Sequence, residues 1–486
     1  VKAVATDAYG NTSTLNSSVD VDTLVSNFTQ NAFNTSAVKA DTVLNAAEAA
    51  SGLTVSGTVE AGSTVVVSLG GVSYNATVTG TTWSYSFAAN EITSGDLHSM
   101  AVKAVATDAY GNTSTLNSSL AVDTLVSNFA HTSSNTSGVV ADNILNKAEA
   151  ASGLTVGGTV EAGSSVMVSL DNGTYHAAIV SGTTWTYTFA ASEVLQGDTH
   201  NVTLTAIATD GYGNVSSPIT SAIVVDTDVI NFQKPDASLA GDGILNAAEA
   251  AAGLVVSGTA EAYSKIVVHM ANGSELLTTS DASGNWSVTF STAQLPSGAS
   301  GSSSVTVTAT DTAGNSESYN QSFTYDTVAP DSPWVINDFG SSDLIKGIET
   351  SHSTGSLSYH SVSATGEVST IAHSLSSSSA SVNGQTVATD FSLFTKDVSN
   401  GSYLVVSDTD AAGNETSTLY VRNTTGNVTI NLSNTGLDAF DFGTINLSSS
   451  HASMSITEAQ VMKLTGTTHT MTVAGGSDDT VTLAGA

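Results

Sequence analysis

Carboxylates are the side chains in this sequence whose number and spacing could do chemistry, and the chemistry they suit is the binding of cations. The chain has 43 Asp and Glu against 10 Lys and Arg, a formal net charge of -33. Many of these acids recur. A Thr-Asp-x-x-Gly-Asn kernel places Asp7, Asp108, Asp210, Asp311 and Asp410 at successive spacings of 101, 102, 101 and 99 residues. An Asp-Thr pair follows at Asp22, Asp123, Asp226 and Asp326, and an Asp-x-x-Leu-Asn-x-x-Glu run spans Asp41–Glu48, Asp142–Glu149 and Asp242–Glu249. A Gly-Thr-x-Glu-Ala run then centres on Glu60, Glu161 and Glu261. A calcium ion takes about six to eight oxygen ligands, mainly carboxylates and carbonyls, so no single run suffices and several would have to converge.

Each run also has a purely structural reading. Asp242-Gly-Ile-Leu-Asn-Ala-Ala-Glu249 has the spacing of the second half of an EF-hand loop, but Ser238 and Ala240 stand where its first acids belong. The same residues would equally cap a short helix, and both readings remain open for each run taken alone. For Thr-Asp-x-x-Gly-Asn the alternative is a tight turn, which accounts for the Gly better than for the Asp. Basic partners are scarce, so carboxylates brought to a repeat junction point to metal. The candidate ligands are Asp123 with Asp108 and Glu161 at the first full junction, and Asp226 with Asp210 and Glu261 at the second. Asp142, Glu149, Asp242, Glu249, Asp311 and Asp326 are further candidates. The cofactor they imply is Ca2+.

These runs must be held by a repeated scaffold. VKAVATDAYGNTSTLNSS occurs at residues 1–18 and again, verbatim, at 102–119. Within a unit, segments such as LTVSGTVE, STVVVSL and TTWSYSF alternate apolar with small polar residues, and turn residues separate them, so each reads as a strand with one buried face. The fold class is therefore all-β, a tandem series of immunoglobulin-like β-sandwich repeats of about 100 residues plus a small β-rich C-terminal module. The boundaries follow the Asp-Thr pairs: residues 1–23 are the last strands of a truncated repeat, and 24–123, 124–226 and 227–326 are full repeats. Residues 327–422 form a diverged repeat and 423–486 a separate module. Trp83, Trp185 and Trp286 recur at one place in the three full repeats, where a large ring would fill a sandwich core.

In combination the Thr-Asp-x-x-Gly-Asn motif, the Asp-Thr junction and the Asp-x-x-Leu-Asn-x-x-Glu-Ala run resemble the tandem immunoglobulin-like repeats of giant RTX/Bap-type biofilm-associated adhesins of bacteria. The run SITEAQVMKLTGTTHTMTVAGGSDDTVTLAGA is similar to the module ahead of their secretion region, although Gly475-Gly-Ser-Asp-Asp does not by itself establish an RTX calcium β-roll. The resemblance implies type I secretion, an extracellular cell-surface location, and adhesion and biofilm cohesion by a stalk that calcium rigidifies. Its partners would be neighbouring repeats and a surface or matrix receptor. A self-assembling surface-layer or filament subunit would read almost identically, and a carbohydrate-binding protein is a third possibility.

Other classes fit poorly. A charge of -33 repels nucleic acid, no apolar stretch approaches the ~18 residues of a membrane helix, and the absence of Cys removes disulfides and thiol chemistry. Ten scattered His show no His-x-His or His-Glu-x-x-His spacing, and no nucleophile elbow or phosphate-binding loop occurs. The paired carboxylates repeat with the domains, as a structural part would and a single active site would not. An enzyme is not expected.

Overall fold

The computed structural model describes every residue except 36, 38, 137, 139–141, 342, 343, 383, 384, 400, 467 and 486. The end of the Ser-rich run SLSSSSASVNG lies outside the described residues. The chain packs into two compact units, residues 1–228 together with 313–315, and residues 229–312 together with 316–486.

In the first unit, Lys2–Thr6 and Thr12–Asn16 form an exposed hairpin paired with no further strand. The repeat that follows is a two-sheet sandwich. One sheet orders Val43–Leu44, Thr113–Val122, His98–Thr107, Thr64–Leu69 and Val72–Asn75; the other orders Thr29–Gln30, Leu53–Thr58, Thr82–Phe87 and Thr77–Thr79. Residues 124–226 repeat this plan. Strict alternation produces it: Leu53, Val55, Val65, Val67, Val102, Ala104 and Ala106 all face one core, and Thr54, Val66 and Lys103 between them face outward.

The recurring Trp is the central core ring of each repeat. Trp83 is 1% and Trp185 2% exposed. The indole Nε1 of Trp83 donates to the carbonyls of Thr29 (3.1 Å) and Thr58 (3.2 Å), and Trp185 repeats this with Ala130 and Thr159. The ring fits because the Gly of Gly-Thr-x-Glu-Ala lies against it: a Cβ on Gly158 would stand 1.9 Å from the Ala130 carbonyl and 2.7 Å from Trp185 Nε1.

In the second unit, residues 229–326 keep the five-stranded sheet and the Trp core, with Trp286 4% exposed. The diverged repeat pairs a four-stranded sheet with a seven-stranded one, and its buried ring is Tyr359, hydrogen-bonded to Ser392 Oγ at 2.6 Å. The boundary expected between residues 422 and 423 falls inside the strand Glu415–Ile430. That strand runs parallel to Phe442–Ile456, which also pairs in parallel with Thr472–Ala474 and Thr480–Leu483. The polar run Asn423–Asn427, which looks like a linker, carries a shift of register within a continuous strand. Residues 423–486 therefore extend the sheet and core of the diverged repeat, through long parallel pairs where each regular repeat has a parallel pair of two residues. Gly475-Gly-Ser-Asp-Asp is a turn in which Asp479 accepts from the Ala452 and Gly476 backbone N–H groups.

Two glycines test this account. Gly158→Ala should cost about 3 kcal/mol, because the strand and the indole must part to admit a methyl group. Gly163→Ala, in open space but at φ +87°, should cost about 1 kcal/mol. Urea denaturation of the two variants should give midpoints in that order.

Candidate metal centre

The late hairpin of each repeat decides which acids can meet. His98–Thr107 and Thr113–Val122 pair antiparallel through ten residues, from His98↔Val122 to Thr107↔Thr113. The Thr-Asp-x-x-Gly-Asn turn and the Asp-Thr junction thus cap opposite ends of the pair, about 30 Å apart at ~3.4 Å per residue. The grouping of Asp108 with Asp123 expected from the sequence does not occur, and the same geometry in the next repeat separates Asp210 from Asp226. The turns of Asp108 and Asp210 instead face the Asp-Thr junction that precedes their own repeat, through Asn112 on Asp22 and Asn214 on Asp123.

Two groups of three carboxylates form in the first unit, each with one oxygen per residue within 4.8 Å of the others. Asp22, Glu60 and Asp108 make one, and Asp96, Asp123 and Glu161 the other. The second joins two repeats, since Asp96 and Asp123 close one and Glu161 opens the next. Local hydrogen bonds set the acids in place. Thr124 Oγ1 accepts from Gly95 N (2.8 Å) and Thr124 N donates to Gly95 O (2.9 Å), so the Thr of the Asp-Thr pair holds the loop that carries Asp96. Glu161 Oε2 accepts from Ser127 N at 3.2 Å, and Glu60 Oε2 likewise from Ser26 N at 2.9 Å.

Asp123 is the electrostatic centre of its group. It is 0% exposed; Oδ1 accepts from Leu125 N and Asn214 Nδ2, both at 3.3 Å, while Oδ2 is buried without a hydrogen-bond partner among the described residues. Burial pushes its carboxyl up to about 6, the Leu125 N–H opposes this, and the charges of Asp210, Glu161 and Asp96 add to it. A buried anion with a bare oxygen beside two other carboxylates fits a hard cation supplied with oxygen ligands.

The other candidates have different surroundings. Burial disfavours the Asp108 anion, but the Asn112 amide and the backbone N–H groups of Asn112, Tyr110 and Gly111 outweigh it and hold the carboxyl below its usual range. Asp210 is bound in the same way by Asn214 and Tyr212 N. Both acids organise turns. Glu149 and Glu249 each commit Oε2 to a capping box, accepting from Asn146 N and Asn246 N at 3.0 Å. Asp142 and Asp242 accept from Ile144 N and Ile244 N, and Asp142 Oδ2 is buried without a hydrogen-bond partner among the described residues. Asp226 is buried and accepts from Thr199 Oγ1 at 2.7 Å. In the second unit Glu261 lends its carbonyl to Ser280 Oγ, Asp311 is buried, and Asp326 Oδ1 accepts from Val328 N.

Reading the sequence missed Asp96. Its signal was there, a Gly-Asp-x-His run at Gly95–His98 that recurs at Gly197–His200. The third repeat has Gly298-Ala299 in that place, and among the described residues no group of three acids includes Asp326.

The fold and these junctions define a class. Residues 243–331 match the bacterial Ig domain family, Big_6, and the chain is a tandem series of immunoglobulin-like β-sandwich repeats. It is structurally similar to large bacterial adhesins. One is a 1.5-MDa bacterial ice-binding adhesin studied for host cell surface retention, at 27% identity over 59% of this chain and 95% of that one, TM-score 0.31. Another is a Ca2+-stabilized adhesin that helps an Antarctic bacterium reach out and bind ice, at 25% identity over 80% and 96%, TM-score 0.31. A single immunoglobulin-like domain of the M. primoryensis ice-binding adhesin is 29% identical over 19% and 97%, TM-score 0.14. No curated protein matches the chain. Among the described residues no helix is long and apolar enough to cross a membrane.

Asp123 gives a pH signature. Its folded carboxyl keeps a proton to about 6, whereas an unfolded Asp releases it near ~4. The resulting stabilisation is complete below ~4 and is lost as pH rises through about 6. In cation-free buffer the melting temperature should fall over this interval more steeply in the parent than in Asp123→Asn, as differential scanning calorimetry would record.

Proposed function

We propose that this chain is a stalk segment of a secreted bacterial cell-surface adhesin, without catalytic activity, whose repeats are aligned by calcium and which serves adhesion and biofilm cohesion. The observation that carries the reading is the Asp96, Asp123 and Glu161 group, in which two successive repeats contribute acids around a buried, unpartnered carboxylate oxygen. Asp123 and Glu161 would be ligands with Asp96, and Asp22, Glu60 and Asp108 would form the corresponding junction one repeat earlier.

Without a cation these groups repel one another across the junction, and the net charge of -33 supplies few alternatives. A bound Ca2+ turns the repulsion into attraction between repeats. By mass action it adds about 2.7 kcal/mol to the folded, aligned state when free calcium is a hundredfold above its dissociation constant. Secreted from a low-calcium cytoplasm, such a chain would stiffen on reaching the outside.

Small-angle scattering and thermal melting of the whole chain, in calcium and then in chelator, test this. Calcium should lengthen the particle and raise the melting temperature, and Asp123→Asn should weaken both effects. If length and melting are the same in both buffers, the acids form a solvated surface and the calcium-aligned stalk is wrong.

A further inference from the structure

In three of the Thr-Asp-x-x-Gly-Asn turns the last residue makes contacts that neither turn formation nor cation binding requires. Asn214 is 3% exposed. Its Nδ2 donates to Asp210 Oδ2 (2.6 Å) in its own turn and to the carbonyl of Asp123 (3.1 Å) at the end of the preceding repeat. Its Oδ1 accepts from Ala46 N (2.8 Å), in the first turn of the preceding repeat's helix. Asn45, the cap of that helix, returns a bond from Nδ2 to the Tyr212 carbonyl at 3.2 Å. One carboxamide thus reads a strand end and a helix start together, and the cap residue reads the turn back.

The pattern recurs. Asn315 Nδ2 donates to the Asp226 carbonyl (3.0 Å), its Oδ1 accepts from Lys147 N (2.8 Å), and Asn146 Nδ2 donates to the Ala313 carbonyl (3.2 Å). In the second unit Asn414 Nδ2 donates to the Asp326 carbonyl (3.0 Å) and to Asp410 Oδ2 (2.9 Å), and its Oδ1 accepts from Ala247 N (2.7 Å). This third instance is decisive. It lies where Ala299 replaces the loop acid and no three-carboxylate group forms among the described residues, so the amide contacts persist where the acid group does not.

We propose that the Asn of the Thr-Asp-x-x-Gly-Asn turn is an ion-independent docking residue between successive repeats. The partner surface it fits is the far pole of a repeat that offers an Asn-capped helix beside an Asp-Thr strand end. The Asp of the motif orients this amide. The carbonyl and helix N–H it satisfies are backbone groups, so recognition depends on the presence of the two elements and tolerates changes in the side chains around them. A diverged repeat docks by the same means as a regular one. The inference does not depend on calcium and goes beyond the stalk reading.

Asn112 provides an internal control, because it closes the same turn, with Nδ2 on Asp108 Oδ2 at 2.7 Å and on Asp22 Oδ1 at 3.4 Å, yet among the described residues it bonds no helix. Asn112→Ala therefore measures the cost of losing the turn and a junction contact without any helix contact. Hydrogen exchange of the full chain in excess chelator should show the Ala46 amide exchanging about tenfold faster in Asn214→Ala, the loss expected when its hydrogen-bond acceptor is removed, and unchanged in Asn112→Ala. The Ala247 amide should respond in the same way to Asn414→Ala and to neither of the other variants. If these amides keep their protection, or if Asn112→Ala releases Ala46 as strongly as Asn214→Ala does, the docking role is refuted. Because chelator is present throughout, failure here leaves the calcium response of the unsubstituted chain intact, and a missing calcium response leaves this result readable.

Discussion

The antiparallel pairing of the last two long strands is the constraint on which the rest of each repeat depends. Ten registered pairs between His98–Thr107 and Thr113–Val122 make a rigid ribbon with a turn at one pole and a strand end at the other. Everything functional in the repeat sits at one of those poles. The turn presents an Asp-organised Asn, and the strand end presents a buried Asp beside a helix cap. A head thus formed can meet only a tail, so one repeated sequence suffices to build a series of any length.

The core and the poles make different demands. Trp83, Trp185 and Trp286 hold the two sheets at a spacing only a Gly opposite can accept, and this fixes the strand ends that the poles use. The poles are polar, and their backbone groups would be costly to bury unpaired. The carboxamides of Asn214 and Asn414 pair several of these groups without charge, whereas Asp123 leaves one charged oxygen uncompensated. Neutral hydrogen bonds at a junction hold in any ionic medium. An uncompensated carboxylate would hold a junction only with a cation present, and the proposed calcium alignment would then respond to the surroundings.

The diverged C-terminal region shows how far the plan can drift. The recurring Trp is gone and Tyr359 fills the core, yet Asp410 and Asn414 keep the turn and its contacts with Asp326 and Ala247. Beyond that turn the strand Glu415–Ile430 takes a long parallel neighbour, where the last strand of each regular repeat has a parallel pair of two residues. The docking pole was kept while the rest of the sandwich was rebuilt.

The sequence alone determined the fold class, the period, the core Trp positions and the identity of the recurrent acids, because strand alternation and exact repetition are local properties that survive without coordinates. It pointed to Glu161 and Asp123 at one junction, and these two acids do fall in one group. Tertiary structure alone decided that Asp108 and Asp210 belong to the opposite pole, because the pairing of two strands reverses direction in space in a way that order along the chain does not record. It also decided that Asp96 joins the acid group, through a Thr124 hydroxyl that bonds the Gly95 loop. It decided, last, that Glu415–Ile430 runs unbroken through a polar stretch, since a shift of register within a strand and a linker between domains are written in the same Asn, Thr and Gly residues.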